Sequence, residues 1–145
     1  MSLFHLLSVS ASGLEAQRRR AEVLTENLAN AETTRTSQGG PYRRKDVIFE
    51  SANAGQPFQS VFHTELGPGV EGVRVAEVVE DQREPDRRYV PGHPDADAQG
   101  YVAFPRMNPA EDMVDLMNTT RSYQSNIAAM SAVKDMIQRS LDLMR

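Results

Sequence analysis

The chain has no cysteine and no tryptophan, and aromatic residues make up only 6% of its 145 positions. Without thiols it can form neither disulfides nor thiolate metal sites, which leaves its redox compartment open. So thin an aromatic complement excludes a large aromatic core in a domain of this size, and stability has to come largely from helix packing. No apolar run approaches the roughly 20 residues needed to span a bilayer. Met1–Leu7 is apolar but lacks the basic leader, the longer apolar run and the small-residue cleavage site of a secretory signal. Any route out of the cytoplasm is therefore expected not to use one. Nor is there a surplus of positive charge. The net charge is −4 and the basic residues lie among acidic ones, which argues against a nucleic-acid partner. Arg18, Arg19 and Arg20 are offset by Glu15, Glu22 and Glu26, so no direct lipid binding is expected.

What the sequence does carry is a heptad stripe at each end. Steps of four and three from Leu3 land on Leu7, Ser10, Leu14, Gln17, Ala21, Leu24, Leu28 and Ala31. From Met113 the same rhythm lands on Leu116, Thr120, Tyr123, Ile127, Met130, Lys134, Ile137, Leu141 and Met144. Such seams are narrow and have to be buried against other helices, within one molecule or among many copies. The polar Ser10, Gln17, Thr120 and Lys134 inside them either fix register and partner or face the edge of a loose bundle.

The first helix is expected over about Ser2 to Ala31, on the order of 45 Å long, and stops at Asn30 and the polar run Glu32–Gly40. The second opens at Asn108-Pro109, where Asn caps, Pro suits the first turn, and Glu111 and Asp112 sit at the positive end. Between them lie seven of the eight prolines and eight of the nine glycines. Val73, Val75, Val78 and Val79 read as a strand, Tyr101, Val102 and Phe104 as a second, and the two together as one small hairpin. Arg35–Phe62 shows little period of any kind and is expected to be extended or mobile before assembly. The fold class is thus mainly α with a small β element, the long terminal helices forming a coiled-coil pair. Three segments follow: 1–34 (N-terminal coiled-coil helix), 35–108 (linker, loops and β-hairpin) and 109–145 (C-terminal coiled-coil helix). The two helices form one discontinuous domain.

Candidate chemistry is sparse. Gly67-Pro68-Gly69-Val70-Glu71-Gly72 matches G-x-G-x-x-G, but its third glycine leads into a strand, not into the helix that would meet a pyrophosphate, so it reads as a turn. His93, Asp95 and Asp97 alternate in a Pro- and Gly-rich loop and read as solvated turn residues ahead of a metal site. Serine is plentiful, but no nucleophile-elbow motif is present. No catalytic, cofactor-binding or metal residue is assigned, and no cofactor is expected. The cluster Arg43-Arg44-Lys45 has the chemistry to pair with an acidic neighbour in an assembly.

Asn27-Leu28-Ala29-Asn30-Ala31-Glu32-Thr33-Thr34 resembles the N-terminal motif of the bacterial flagellar axial proteins, the rod and hook subunits. Gly39-Gly40-Pro41-Tyr42-Arg43-Arg44-Lys45, with Pro91-Gly92-His93-Pro94 before Gly100-Tyr101-Val102, is similar to the proximal rod subunits in particular. Met113-Val114, Arg121-Ser122-Tyr123-Gln124-Ser125-Asn126 and Met136-Ile137-Gln138 resemble the family's C-terminal helix. The resemblance implies a non-enzymatic structural subunit exported unfolded by the flagellar type III apparatus, without a cleaved signal. Such a subunit builds a tube across the periplasm, with terminal helices packed as coiled coils. It implies as partners further copies, other rod proteins, the basal-body components that seed the rod, and the export apparatus. It also places Asn27, Asn30, Arg121, Tyr123 and Asn126 near subunit contacts. A soluble coiled-coil adaptor or export-associated binding protein is the alternative reading of the same seams.

Overall fold

The computed structural model describes residues 3–52 and 72–143, with side chains from residue 6 onward. Two long helices frame it: α1 over Leu3–Ala29 and α2 over Pro109–Leu143. Both ends follow from local chemistry. The α1 carbonyl of Glu26 accepts from the Asn30 backbone N–H at 3.1 Å and from Asn30 Nδ2 at 2.9 Å, so Asn30 closes the last turn with main chain and side chain together. At the start of α2 the Ala110 N–H donates to Asn108 Oδ1 at 3.2 Å, with Pro109 in the first turn. Leu3 opens α1 as expected, although its side chain, like Met144 at the far end, lies outside the described residues.

The β structure differs from the single hairpin the sequence reading expects. Strand β1 (Lys45–Ser51) pairs antiparallel with β2 (Val73–Glu80), and β3 (Asp86–Tyr89) pairs antiparallel with β4 (Tyr101–Phe104). The two valine- and aromatic-rich runs are indeed strands, but each has its own partner in place of the other. Those partners are hard to see in the sequence because Lys45–Ser51 mixes charge with Val47, Ile48 and Phe49, and Asp86–Tyr89 holds only one apolar residue. Lys45–Ser51 also corrects the reading of Arg35–Phe62 as aperiodic; residues 53–62 of that stretch are outside the described residues. Register passes from Ile48↔Glu77 to Phe49↔Val75, which leaves Ala76 as the extra residue of a bulge. The bulge explains the odd valine spacing. One additional residue between Val75 and Val78 keeps both half-buried on the same face as Val73. Of the glycine motif, Gly72 leads straight into β2, and residues 67–71 are outside the described residues.

The first helix supports two neighbours. It packs along α2 and also against the β1–β2 sheet. Ala16, Val23, Leu24 and Asn27 are buried on it, and Ser12 accepts from the Val73 N–H at 3.1 Å. The β3–β4 hairpin, by contrast, packs on no other helix or strand among the described residues. It has a small core of its own, in which Val102, Phe104 and Pro105 are buried, the Arg88 guanidinium lies 4.8 Å from the Phe104 ring centre, and His93 meets the same ring edge-on. No helix among the described residues is long and apolar enough to cross a membrane.

Candidate assembly interface

Three polar fastenings hold the two helices and the linker in one arrangement. The first is built on Asn27, which has no exposed surface at all. Its Oδ1 accepts from the Lys45 N–H at 3.0 Å and from the Tyr42 hydroxyl at 2.9 Å, while Nδ2 donates to the Lys45 carbonyl at 2.8 Å. The amide thus imitates a neighbouring strand at the start of β1, and each buried polar atom it meets gains a partner. Burial, reinforced by the carboxylates of Glu26, Glu80 and Asp112, pushes the Tyr42 phenol well above its ordinary pKa and keeps it a donor.

The second fastening joins the linker to α2. Asp112 is 1% exposed, and its carboxylate accepts from Arg44 Nη2 at 2.8 Å and Nε at 3.1 Å. Arg44 Nη1 also reaches Asp46 at 2.6 Å, so the guanidinium is spread over two acids. The Arg43–Lys45 cluster therefore finds partners inside the chain: Arg43 donates to the Asp81 carbonyl and to Gln82, and Lys45 bonds Glu26 at 2.6 Å. The third fastening lies between the helices, where Arg20 stands 3.7 Å from Asp115 and Asn126 lies across Gly13.

Those fastenings set which face of α2 is covered. Asp112, Thr119 and Val133 are buried and Asn126 half-buried, four positions spaced seven apart, together with half-buried Leu116, Met130 and Ile137. The sequence stripe shares Leu116, Met130 and Ile137 with this face but takes Met113, Thr120, Ile127 and Lys134, one residue further round, in place of the other four. In the chain itself Met113 is 55% exposed, Ile127 45% and Leu141 57%. An apolarity pattern favours methionine and isoleucine over aspartate and asparagine; it cannot register that Asp112 is neutralised by Arg44 or that Asn126 fits over a glycine. Of the other expected seam positions, Leu24 is buried, Leu7, Leu14 and Leu28 are half-buried, and Tyr123 lies at the exposed margin. Among the motif positions, Asn27 and Asn30 are used within the chain, Asn126 faces α1, and Arg121 is exposed.

The loop residues are occupied as turn chemistry. His93 Nδ1 accepts from the Asp95 N–H at 3.1 Å, Asp95 Oδ2 from the Thr34 hydroxyl at 2.8 Å, and Asp97 Oδ1 from the N–H groups of Gln99 and Tyr101 at 2.9 Å each. Bonds through Asp95, including an ion pair to Arg35 at 3.5 Å, tie the hairpin loop to the turn after α1.

The arrangement has known relatives. A family model described as "Flagella basal body rod protein" matches residues 7–35, and one described as "Flagellar basal body rod FlgEFG protein C-terminal" matches 98–143. The flagellar basal-body rod protein FlgC of Bacillus subtilis (strain 168) is 43% identical over 150 aligned positions, covering 99% of each chain. The chain belongs to the FlgC family of flagellar basal-body rod proteins. FlgC of Borreliella burgdorferi is 36% identical over 100% of this chain and 99% of its own, and FlgC of Escherichia coli O6:H1 is 38% identical over 99% and 98%. The two rod-family models fall on α1 with its cap and on β4 with α2, the elements that Asn126 over Gly13 and Arg20 beside Asp115 bring together. The Asn27 and Arg44 fastenings, by contrast, draw Tyr42, Arg44 and Lys45 from a stretch outside both of these family-model matches.

Proposed function

We propose that the chain is a structural subunit of the proximal rod of the flagellar basal body, and that it assembles with further copies and other rod proteins into the shaft that carries torque. On this reading it leaves the cytoplasm through the flagellar type III export apparatus without a cleaved signal, is seeded on the basal body and crosses the periplasm as part of the rod. Residues 1–34 and 109–145 act as one discontinuous helical domain whose coiled-coil packing is completed by neighbours. The observation that carries the proposal is the row Met113, Ile127 and Leu141, fourteen residues apart and bare after α1 has docked. Three large apolar side chains left exposed along a helix whose other face is already covered, with Thr120 and Lys134 between them, call for another helix. Contacts between unlike surfaces then propagate as an open helix, and load is shared over many packed side chains.

The test separates the two faces of α2. Ile127→Asp, on the bare row, is expected to leave the monomer folded and secreted while abolishing swimming; Val133→Asp, on the covered face, is expected to unfold the monomer. Leu28→Asp on α1 should likewise abolish motility. Normal swimming with Ile127→Asp would overturn the proposal. A small closed oligomer in ultracentrifugation, unaffected by other rod proteins, would favour an adaptor instead.

A further inference from the structure

The hairpin presents a face that nothing among the described residues covers. Tyr89 and Tyr101 are directly opposed across β3–β4 and meet edge to face with ring centres 5.4 Å apart, yet Tyr89 is 64% exposed. Strand alternation puts Arg87 on the same face, away from buried Val102 and Phe104. A second bare surface sits at the start of α2, where Val114 and Met117 lie about 160° and 140° around the helix from buried Asp112, with Glu111 beside Val114. Among the described residues neither Arg87 nor Glu111 forms an ion pair. The two surfaces are complementary: aromatic rings with a cation on one, a thioether and a branched aliphatic with an anion on the other.

Building on the rod reading, we infer that the outer face of the β3–β4 hairpin of one copy docks on the Glu111, Val114 and Met117 surface of a second copy. The contact joins unlike patches, so a pair of copies that makes it still offers one free patch of each kind. It therefore adds to a growing open helix and does not close a pair. Its centre, Glu111 and Val114, lies about 160° and 100° around α2 from Met113, and it adjoins the Met113, Ile127 and Leu141 row only where Met117 follows Met113 by one turn.

The experiment places a benzophenone amino acid at Tyr89 of the full chain, as the sole copy in flagellated cells, and irradiates purified basal bodies. A band of twice the chain mass is expected, with the probe joined to the tryptic peptide Met107–Arg121. Arg87→Glu or Glu111→Arg alone should reduce that band about fivefold, the upper range for an exposed pair, and the two together should restore it. Basal bodies that contain the chain but yield no such band, or a band joined to a different protein or a different peptide, would overturn this inference and leave the rod reading standing. Absence of the unmodified chain from basal bodies would overturn both.

Discussion

The Asn126 side chain lies across Gly13, with Nδ2 3.1 Å from the point where a β-carbon on residue 13 would stand. A glycine inside a helix costs about 1 kcal/mol against alanine, so its presence in α1 needs a packing reason, and the asparagine amide supplies it. Gly13→Ala should therefore recover less than its helix gain in the natural chain, because Asn126 has to yield by a few tenths of an ångström. In an Asn126→Ala background the whole of about 1 kcal/mol should appear, worth about 3 °C in Tm for a chain of this size. Equal shifts in both backgrounds, measured by thermal unfolding, would show that the contact sets nothing.

Arg44 and Asp112 make a second test. Arg44→Met leaves a carboxylate that is 1% exposed with no cation beside it, and such an orphan costs about 3 kcal/mol. Asp112→Asn should cost less, since Arg44 keeps Asp46 and part of its surface in water. Replacing both by leucine should recover part of the loss. Urea unfolding of the three variants orders them, and an Arg44→Met variant no weaker than the natural chain would remove the pair from the account of what holds α2 to the linker.

Much of this architecture is legible in the sequence, and the parts that are not share a cause. Helix extents follow from Asn30, Asn108 and Pro109, because caps act through neighbours in sequence. The strand around Val73–Val79 follows from β-branching, and its bulge is already written in the three-residue step from Val75 to Val78. The pairing of strands does not follow, since Lys45–Ser51 meets β2 only across a segment of 21 residues, from 52 to 72. One half of the covered seam of α2 is displaced by one residue, with Asp112 and Asn126 held there by partners remote in sequence, Arg44 and Gly13. An apolarity rhythm sees neither. Tyr42, Arg44 and Lys45 stand out by their motif, but only the fold reveals that they fasten the linker to α1 and α2.

Asn27 is expected to be the least replaceable of the motif residues. Asn27→Ala strands the Lys45 N–H and carbonyl and the Tyr42 hydroxyl in a buried site, for a loss of about 3 kcal/mol. Tyr42→Phe should cost only about 1 kcal/mol, and it carries a pH signature. The folded phenol has its pKa raised by burial, so its contribution is fully present below the unfolded value near 10 and is lost as pH rises beyond it. Stability of the natural chain should therefore fall above pH 10, and the Tyr42→Phe variant should fall less steeply there. Parallel slopes in alkaline denaturation would place the tyrosine outside the buried site.

Asp81 supplies the opposite sign at the acid end. The Arg83 guanidinium, then the Arg83 N–H, hold its carboxyl at about 2 against an ordinary 3.8. A depressed folded pKa contributes stability that is present above the unfolded value and is lost as pH falls from about 4 toward 2. The pair lies near the surface, with the Arg83 side chain 61% exposed, so solvent screening keeps the effect small. Arg83→Gln should lower stability slightly at pH 7 and flatten the acid limb, so that its curve meets that of the natural chain as pH falls to about 2. A large loss at neutral pH would mean that Arg83 supports the turn between β2 and β3 by packing and not by charge.

Gly100 tests the separateness of the hairpin. Its φ of +83° is one that L side chains rarely adopt, and a β-carbon there would stand 2.8 Å from Cε2 of Tyr89. Gly100→Ala should thus cost about 1–2 kcal/mol from backbone strain alone, with more from the displaced ring. Because β3–β4 packs on no other helix or strand among the described residues, the loss should stay local. In hydrogen exchange the amide of Val90, which donates to the Gly100 carbonyl at 2.9 Å, and that of Asp97, which donates to the Tyr101 carbonyl, should open faster, while amides around Val23 and Asn27 keep their protection. If the α1 amides opened in step with Val90, the hairpin would be part of the same cooperative unit as the helices.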